Sequence, residues 1–519
     1  VEDKLTRRGF VGASASGLGM VLAGSALGAA PARAAVGRAA AAKTSLSVGF
    51  QATLTGLTPI AIQGYQWSQM VGFAIYDPLF WRAPNGSLIP AIATSVSYPS
   101  PTKTILKIRQ GVKFHDGTPL TAQDVAYSIG VRCDPAMIKT TSGRPVMTPA
   151  QFGSIVVTDA ETVTVNTQSE VDFLYTPQPI LIVPNNSFGS INFATEENGT
   201  GPFKVKSFVS GTSVSLESNP NYWNGAPPLQ TLNFQLFSDI STEGTNLRSG
   251  QVDALYDVSP LHLASVKGIP GKKLVQDATY ADWWIIQFGK PPLNNVAVRK
   301  ALFYCFNKKE MNASSFAGLG KASWNPFKFT GAYNGAEGPD TYDPEKAKAL
   351  LKAAGVKNIT VPITGIQGYQ DSVNQGAIIQ NGLEAAGVKS SFVALPIAQW
   401  LNITYTKGSW EGIAFNAGNV PYPYKNFFDY MVDPSSLLSA FTGGKSPIPA
   451  VAKLYNAVEA APITSAQEKH LLDEAQNAII NEALVYFGLA GPVNLVLPTG
   501  LEGVVANGLG DVLWSKAHF

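Results

Sequence analysis

Between residues 343 and 395 the chain reads helix, strand, helix, strand, and this order restricts it to the α/β class more firmly than any single motif. In Asp343-Pro-Glu-Lys-Ala-Lys-Ala-Leu-Leu-Lys-Ala-Ala-Gly355 the first aspartate is placed to cap a helix, and Pro344 falls where no N–H is needed. Leu350, Leu351 and Ala354 make one apolar face, and Gly355 suits a left-handed stop. Residues 359–364 then read as a strand, Gln375–Ala386 as a helix ended by Gly387, and 389–395 as another strand. Strands joined through helices favour an α/β lobe. Further strand-like segments lie at 45–50, 103–109, 154–158, 162–166, 213–217, 230–237 and 282–288, with another helix at 464–484. At roughly 150 residues per domain, 519 residues imply about three domains.

Composition narrows the function classes. A chain 45% hydrophobic can bury a large core and is not disordered. Lys+Arg 38 against Asp+Glu 36 leaves no basic footprint for nucleic acid or an anionic membrane. Cys133 and Cys305 have no metal-ligand spacing; they could pair in an oxidising compartment. The N-terminus carries Arg7-Arg8, then an uncharged Gly/Ala/Ser-rich run from Phe10 to Ala30, then Pro31-Ala32-Arg33-Ala34. This is the layout of a twin-arginine signal peptide over 1–34, cut after Ala34, with a disordered Ala-rich leader at 35–43. A membrane anchor is the competing reading, weakened by the Gly/Ala character and the cleavage site. No cysteine near that site supports a lipid anchor, so the expected location is periplasmic.

The catalytic motifs are missing. The mature chain has no Gly-x-Ser-x-Gly elbow, no phosphate-cradling Gly-x-x-x-x-Gly-Lys-Ser/Thr loop and no His-Glu-x-x-His pair, and its histidines at 115, 262, 470 and 518 have no metal spacing. The expectation is therefore a non-enzyme with no cofactor and no metal, although scattered carboxylates can always assemble a hydrolytic pair in three dimensions.

Five segments then point to a family. Leu106-Lys-Ile-Arg-Gln-Gly-Val-Lys-Phe-His-Asp-Gly-Thr-Pro-Leu-Thr-Ala-Gln-Asp-Val-Ala-Tyr-Ser128 is the most specific: a strand, a turn at His115-Asp116-Gly117, and a helix capped by Thr121 with Asp124 three residues on. Asn198-Gly-Thr-Gly-Pro-Phe203, Ser218-Asn-Pro-Asn-Tyr-Trp-Asn-Gly225, Pro292-Leu-Asn-Asn-Val-Ala-Val-Arg-Lys-Ala-Leu302 and the Asp343–Gly355 helix follow in order. Together they resemble extracellular solute-binding protein family 5, the dipeptide-, oligopeptide- and nickel-binding receptors of ABC transporters. The resemblance implies an α/β two-lobed periplasmic-binding-protein fold with mixed sheets, a hinge and an extra domain beside the first lobe. Lobe I is expected at 44–60, 190–285 and 490–519, the extra domain at 61–189, and lobe II at 286–489, with crossings near Gln287-Phe288-Gly289 and 489.

Such a receptor holds its ligand between the lobes, where a pocket needs aromatic walls and a few fixed polar groups. Candidate contacts are Gln51 and Thr53 after the first strand, Trp283 and Trp284 before the crossing, and Asn416, Asn419, Tyr422 and Tyr424 in Phe415-Asn-Ala-Gly-Asn-Val-Pro-Tyr-Pro-Tyr-Lys-Asn426. If 282–288 is a strand, Trp283 and Trp284 point to opposite faces, so one belongs to the core. His115, Trp223, Arg109 and Arg299 sit in family motifs and are read as fold-holding. Peptide-binding relatives usually carry a carboxylate near Pro421-Tyr-Pro-Tyr-Lys425, and this chain has none, although Asp429 lies a few residues on. A buried ammonium left unpaired costs several kcal/mol, so a glycoside, opine-like compound or amino-acid conjugate stands beside the short peptide, with a metal chelate behind. The expected partners are a small polar solute and a membrane permease with cytoplasmic ATPase subunits, without nucleic acid, the receptor being a monomer. A sensory relay and a secreted hydrolase are the readings from other classes.

Overall fold

The computed structural model describes residues 43–519 except 53, 60–65, 84–86, 142–145, 148, 150, 169–172, 176–178, 238, 288, 330–332, 397–398, 401, 407–409, 419–452, 455–456, 459–465, 484–485 and 507–511. The leader and signal segment expected at 1–43 thus lies outside the described residues but for Lys43. In chain order the strands are β1 (Ser45–Gln51), β2 (Phe80–Arg82), β3 (Leu88–Pro90), β4 (Ala93–Ser100), β5 (Lys103–Ile108), β6 (Phe152–Asp159), β7 (Thr162–Thr167), β8 (Phe203–Val209), β9 (Ser213–Ser218) and β10 (Thr231–Phe237). They continue as β11 (Ala254–Leu255), β12 (Lys272–Ile286), β13 (Lys321–Ser323), β14 (Thr360–Ile366), β15 (Lys389–Leu395), β16 (Ile413–Gly418), β17 (Tyr486–Pro498), β18 (Val505–Ala506) and β19 (Val512–Leu513).

One mixed sheet runs through most of them in the order β15-β14-β16-β12-β17-β11-β1-β10-β9-β8, with β13 pairing β17. β1 pairs β10 along its whole length and β11 at Val48 and Gly49, parallel to both, and Leu46, Val48 and Phe50 are buried. β14 lies between β15 and β16, again parallel to both. The sheet is therefore two α/β halves joined through one antiparallel pair, β12 with β17. A separate antiparallel sheet, β4-β5-β7-β6, is covered by helix Ala122–Cys133.

Burial sorts the chain into cores. The first unites Leu46, Val48, Phe50, Phe203, Leu216 and Phe234 with Val493, Leu495, Leu497 and Trp514. The second unites Trp284, Ile286, Leu302, Phe306, Ile363, Ile379, Phe415 and Leu489. A third lies under the four-stranded sheet, from Leu79 to Ile182. β17 enters the first core at Val493 and the second at Leu489. β12 changes neighbours likewise: from Ala281 onward it gains β16 on its other side. The change from one core to the other falls near 277–281 on β12 and 489–493 on β17. A bulge interrupts the register there, between Asp277 and Thr279. The change of core happens mid-strand, where the polar residues Gln276, Asp277 and Thr279 interrupt the apolar run of β12.

Several sequence expectations can be traced atom by atom. Asp343 accepts from the Lys346 N–H (2.9 Å) to cap helix Pro344–Ala353, and Gly355 is left-handed (φ +74). The helix expected from Gln375 begins at Gln370, because Gln370-Asp-Ser372 gives a polar first turn with no apolar periodicity to announce it. The Thr121 N–H and Oγ1 both donate to Asp124 Oδ2, at 2.7 and 2.6 Å. In the His115 turn, one ring nitrogen faces both oxygens of Glu197 (2.9 and 2.8 Å) and the other donates to Gly201 O (3.0 Å). Arg109 stacks on the Trp223 ring at 4.2 Å and donates to Ala91 O. Arg299 donates to Leu293 O (2.8 Å) and Ala483 O (2.8 Å), tying the end of helix Ala466–Asn481 to the helix Val296–Leu302. Cys133 and Cys305 are free thiols buried in different cores, so the disulfide the sequence left open does not form.

Candidate functional site

In open α/β sheets, ligands bind outside the carboxyl ends of the strands. Both halves bring such an edge to the passage between them. On the first half, β1 ends at Gln51 and β11 runs into Tyr256-Asp257. On the second, β14 ends at Ile366 and leads through Gly368 into helix Gln370–Ala385. The two edges touch: Gln51 Nε2 lies 3.5 Å from the Gly368 carbonyl, and the turn Pro260–His262 packs against helix Lys308–Phe316.

Asp257 is held by its neighbours' backbone. The Tyr256 N–H donates to Gly49 O (3.0 Å) and the Val258 N–H to Asn494 O (2.9 Å), while Asn494 Nδ2 returns a bond to Val258 O. This leaves Asp257 in the left-handed region (φ 55), which aspartate tolerates better than most residues. Its side chain reaches the surface, and partial desolvation by the surrounding protein pushes its carboxyl up to about 6.

On the opposite side Asp282, 3% exposed, shares a strand face with Trp284. Gln375 locks both, its Nε2 donating to Asp282 Oδ2 (2.9 Å) and Ser315 Oγ (3.1 Å), its Oε1 accepting from Trp284 Nε1 (2.7 Å). Burial raises the Asp282 carboxyl well above the usual range, and the nearby Asp371 charge adds to this. Asp371 precedes Gln375 by one helical turn on the same face. It is half-buried and raised too, by burial first and then by Asp257.

The residues nominated from sequence fall in different places. Gln51 is exposed at the edge and reaches across it. Asn416 is half-buried in β16, opposite Trp283 in the register with β12. Trp283 is buried against Gly488, whose missing Cβ leaves room for its ring. Trp284 is fully buried, edge-on to Phe415 at 5.2 Å, so both indoles of the pair are covered in this conformation rather than only one. Thr53, Asn419, Tyr422 and Tyr424 lie outside the described residues. Asp257, Asp282 and Asp371 were not nominated. Asp282 had a readable signal, a carboxylate inside the apolar run Ala281–Ile286, whereas Asp371 looks like an ordinary helix-start acid and Asp257 like a loop residue.

Residues 87–437 match the sequence model of the bacterial extracellular solute-binding proteins, family 5 middle region. Heme-binding protein A of Haemophilus influenzae is 33% identical over 162 residues, 31% of this chain and 30% of that protein. Di/tripeptide-binding protein 2 of Pseudomonas aeruginosa is 26% identical over 66% of this chain and 71% of that one. Among solved structures, the periplasmic binding protein AgaA of A. tumefaciens R10 in complex with agropinic acid superposes with a TM-score of 0.76 at 21% identity, covering 90% of this chain and 95% of AgaA. The architecture is thus that of the two-lobed periplasmic binding proteins.

Proposed function

Since the chain belongs to the family 5 bacterial extracellular solute-binding proteins, we propose that it captures a small polar solute between its lobes and delivers it to an ABC importer. The observation that carries this reading is the β12–β17 pair, which joins two halves whose strand carboxyl edges face one another. A bend at the Asp277/Thr279 bulge opens or closes the gap between those edges without disturbing either core. A solute that touches both edges binds the closed form better and shifts the population toward it. The chain makes no turnover of its own in this account, and transport energy comes from the ATPase subunits of its partner permease.

The proposed contacts are Gln51 and Thr53 on one side and Trp283, Trp284, Asn416, Asn419, Tyr422 and Tyr424 on the other, Trp283 standing opposite Asn416 in the β12–β16 register. A short peptide or an opine-like conjugate fits a cleft of this kind; di- and tripeptides and agropinic acid name two relatives' ligands. Residues 1–34 are proposed to direct export through the twin-arginine route to the periplasm, where the receptor acts as a monomer. Among the described residues no helix is long and apolar enough to cross a membrane. The test is thermal shift on protein refolded from denaturant, against di- to pentapeptides, oligosaccharides and opines. Stabilisation by at least one class, with a one-to-one complex in native mass spectrometry, is expected; consumption of a probe without a stable complex would sink the receptor reading.

A further inference from the structure

The turn Pro260–His262 of the first half meets helix Lys308–Phe316 of the second, and both are seated on the same strand, β17. On the first-half side the seat is Asn494. It is 0% exposed, inside Val493-Asn-Leu-Val-Leu497, whose other members are apolar and buried. Val493, Leu495 and Leu497 face the first core and Val496 a smaller cluster with Leu255 and Val258, so Asn494 points to the Val258 side. An amide buried there costs free energy unless it is bonded. Its Nδ2 donates to Val258 O (2.9 Å), and its Oδ1 accepts from Gln276 Nε2 (2.9 Å). Its backbone carbonyl accepts from the Val258 N–H (2.9 Å), so both main-chain polar groups of Val258 end on one residue.

That double hold is built into the register. β11 pairs β17 at Leu255 and Val496, and continuing the ladder would set Asp257 opposite Asn494. Val258 bonds there instead, and left-handed Asp257 (φ 55) takes up the extra residue. Ser259 follows, then the turn, which is closed by the His262 N–H to Ser259 O (2.8 Å) and by Ser265 Oγ to His262 O (2.8 Å). On the second-half side, a Cβ built on Gly491 would lie 2.4 Å from the Phe316 ring, so the end of the helix rests on β17 three residues before Asn494. Between the two seats lie Pro492, which has no N–H, and Val493, opposite the Asp277/Thr279 bulge.

We propose that Asn494 is a positioning residue for lobe closure: by gripping Val258 it makes the turn Pro260–His262 a fixed stop against which helix Lys308–Phe316 comes to rest. The inference rests on the lobe-closure reading above and specifies what ends the movement. Because the bend falls between the two seats, it changes the distance from turn to helix and leaves each seat on β17 intact. Once the Val258 carbonyl loses its side-chain donor, the loop from Asp257 to the turn is held by fewer bonds and samples more positions. The closed contact, with Gln51 reaching toward Gly368, then has no single geometry. A side chain that only filled space at position 494 would have no such effect, since leucine fills similar room without bonding Val258.

The test places nitroxide spin labels on Ala264→Cys, beside the turn, and Lys309→Cys, on the helix, both exposed positions, in the full chain. Cys133 and Cys305 are buried and stay unlabelled. Pulsed dipolar spectroscopy then reads the separation of the labels with and without trialanine, maltotriose and octopine. The parent should show a narrow short separation among its populations. Asn494→Leu, and Asn494→Asp, which keeps the size and replaces the donor by an acceptor, should roughly double its width. Gln276→Ala should leave it as in the parent, because the Val258 bonds stay. Unchanged widths in both Asn494 variants, whatever their melting temperatures, would overturn the proposal and leave the receptor reading standing, the residue being structural only. Equal broadening by Gln276→Ala would overturn it too, since Val258 would not be the link. A parent with no short separation in any condition loses the stop and the lobe-closure reading together.

Discussion

Replacing Gly199 by alanine should destabilise the protein by about 2–5 kcal/mol, although its φ suits any residue. A Cβ built there lies 2.0 Å from the Ile75 carbonyl oxygen and 2.8 Å from its carbon, where ordinary contact begins at 3.4 Å. The difference, 3.4 − 2.0, is a displacement of about 1.4 Å. The surroundings resist such a shift. Gly199 O accepts from the His115 N–H (2.8 Å), its own N–H donates to Glu197 Oε2 (2.7 Å), and the Gly201 N–H donates to Ile75 O (2.9 Å). Moving the segment that far breaks at least two of these bonds, and each buried polar group left unpaired costs about 1–3 kcal/mol. Stiffening of the unfolded chain by alanine returns roughly 0.4–1 kcal/mol. Urea unfolding followed by tryptophan fluorescence reads the difference, with Gly189→Ala as control, because nothing lies within 4 Å of a Cβ at that exposed position. A Gly199→Ala protein within about 0.5 kcal/mol of wild type, the scatter expected of surface changes, would refute the reasoning.

Three further outcomes follow from other parts of the fold. Arg299→Ala should cost about 3–5 kcal/mol in the same urea assay, since the Leu293, Glu482 and Ala483 carbonyls lose their charged donor inside a packed core; a loss below about 1 kcal/mol would contradict that role. Asp77 is fully buried and accepts from Tyr222, Trp223 and Thr200, yet burial raises its carboxyl to about 6. The unfolded chain therefore loses this proton first as pH rises, and stability from Asp77 falls between about pH 4 and 6. At 1.36 kcal/mol per pH unit, the deficit of Asp77→Asn should shrink by about 2–3 kcal/mol between pH 4 and 7, and a deficit that grows with pH would reverse the sign argued here. Ellman's reagent should find no reactive thiol in the native protein and two after unfolding without reductant, because burial pushes Cys305 up to about 12 and Cys133 higher still; fewer than two would reveal a disulfide.

What the sequence disclosed depended on whether the signal was local. Caps and turns are written in adjacent residues, so Asp343 with Gly355 and Thr121 with Asp124 can be read straight off the chain. The two glycines of Asn198-Gly-Thr-Gly-Pro-Phe203 marked a motif, but their reason, close passage against the Ile75 carbonyl, lies more than a hundred residues away. Trp283 and Trp284 show where pattern reasoning stopped: alternation gave opposite faces but could not tell that both faces of β12 are covered, one by Gly488 of β17 and the other by helix Gln370–Ala385. The acids Asp257, Asp282 and Asp371 were the least legible part: they are spread over more than a hundred residues, and each has a bland local explanation.

The central claim is closure of two lobes around a solute. Small-angle scattering on protein refolded from denaturant, with and without a probe that stabilises it, tests this most directly. At a hundredfold excess over Kd a true ligand adds about 2.7 kcal/mol of stability, and the account predicts that the radius of gyration falls with the same concentration dependence. A ligand that binds and stabilises while the scattering curve stays unchanged would contradict the hinge account.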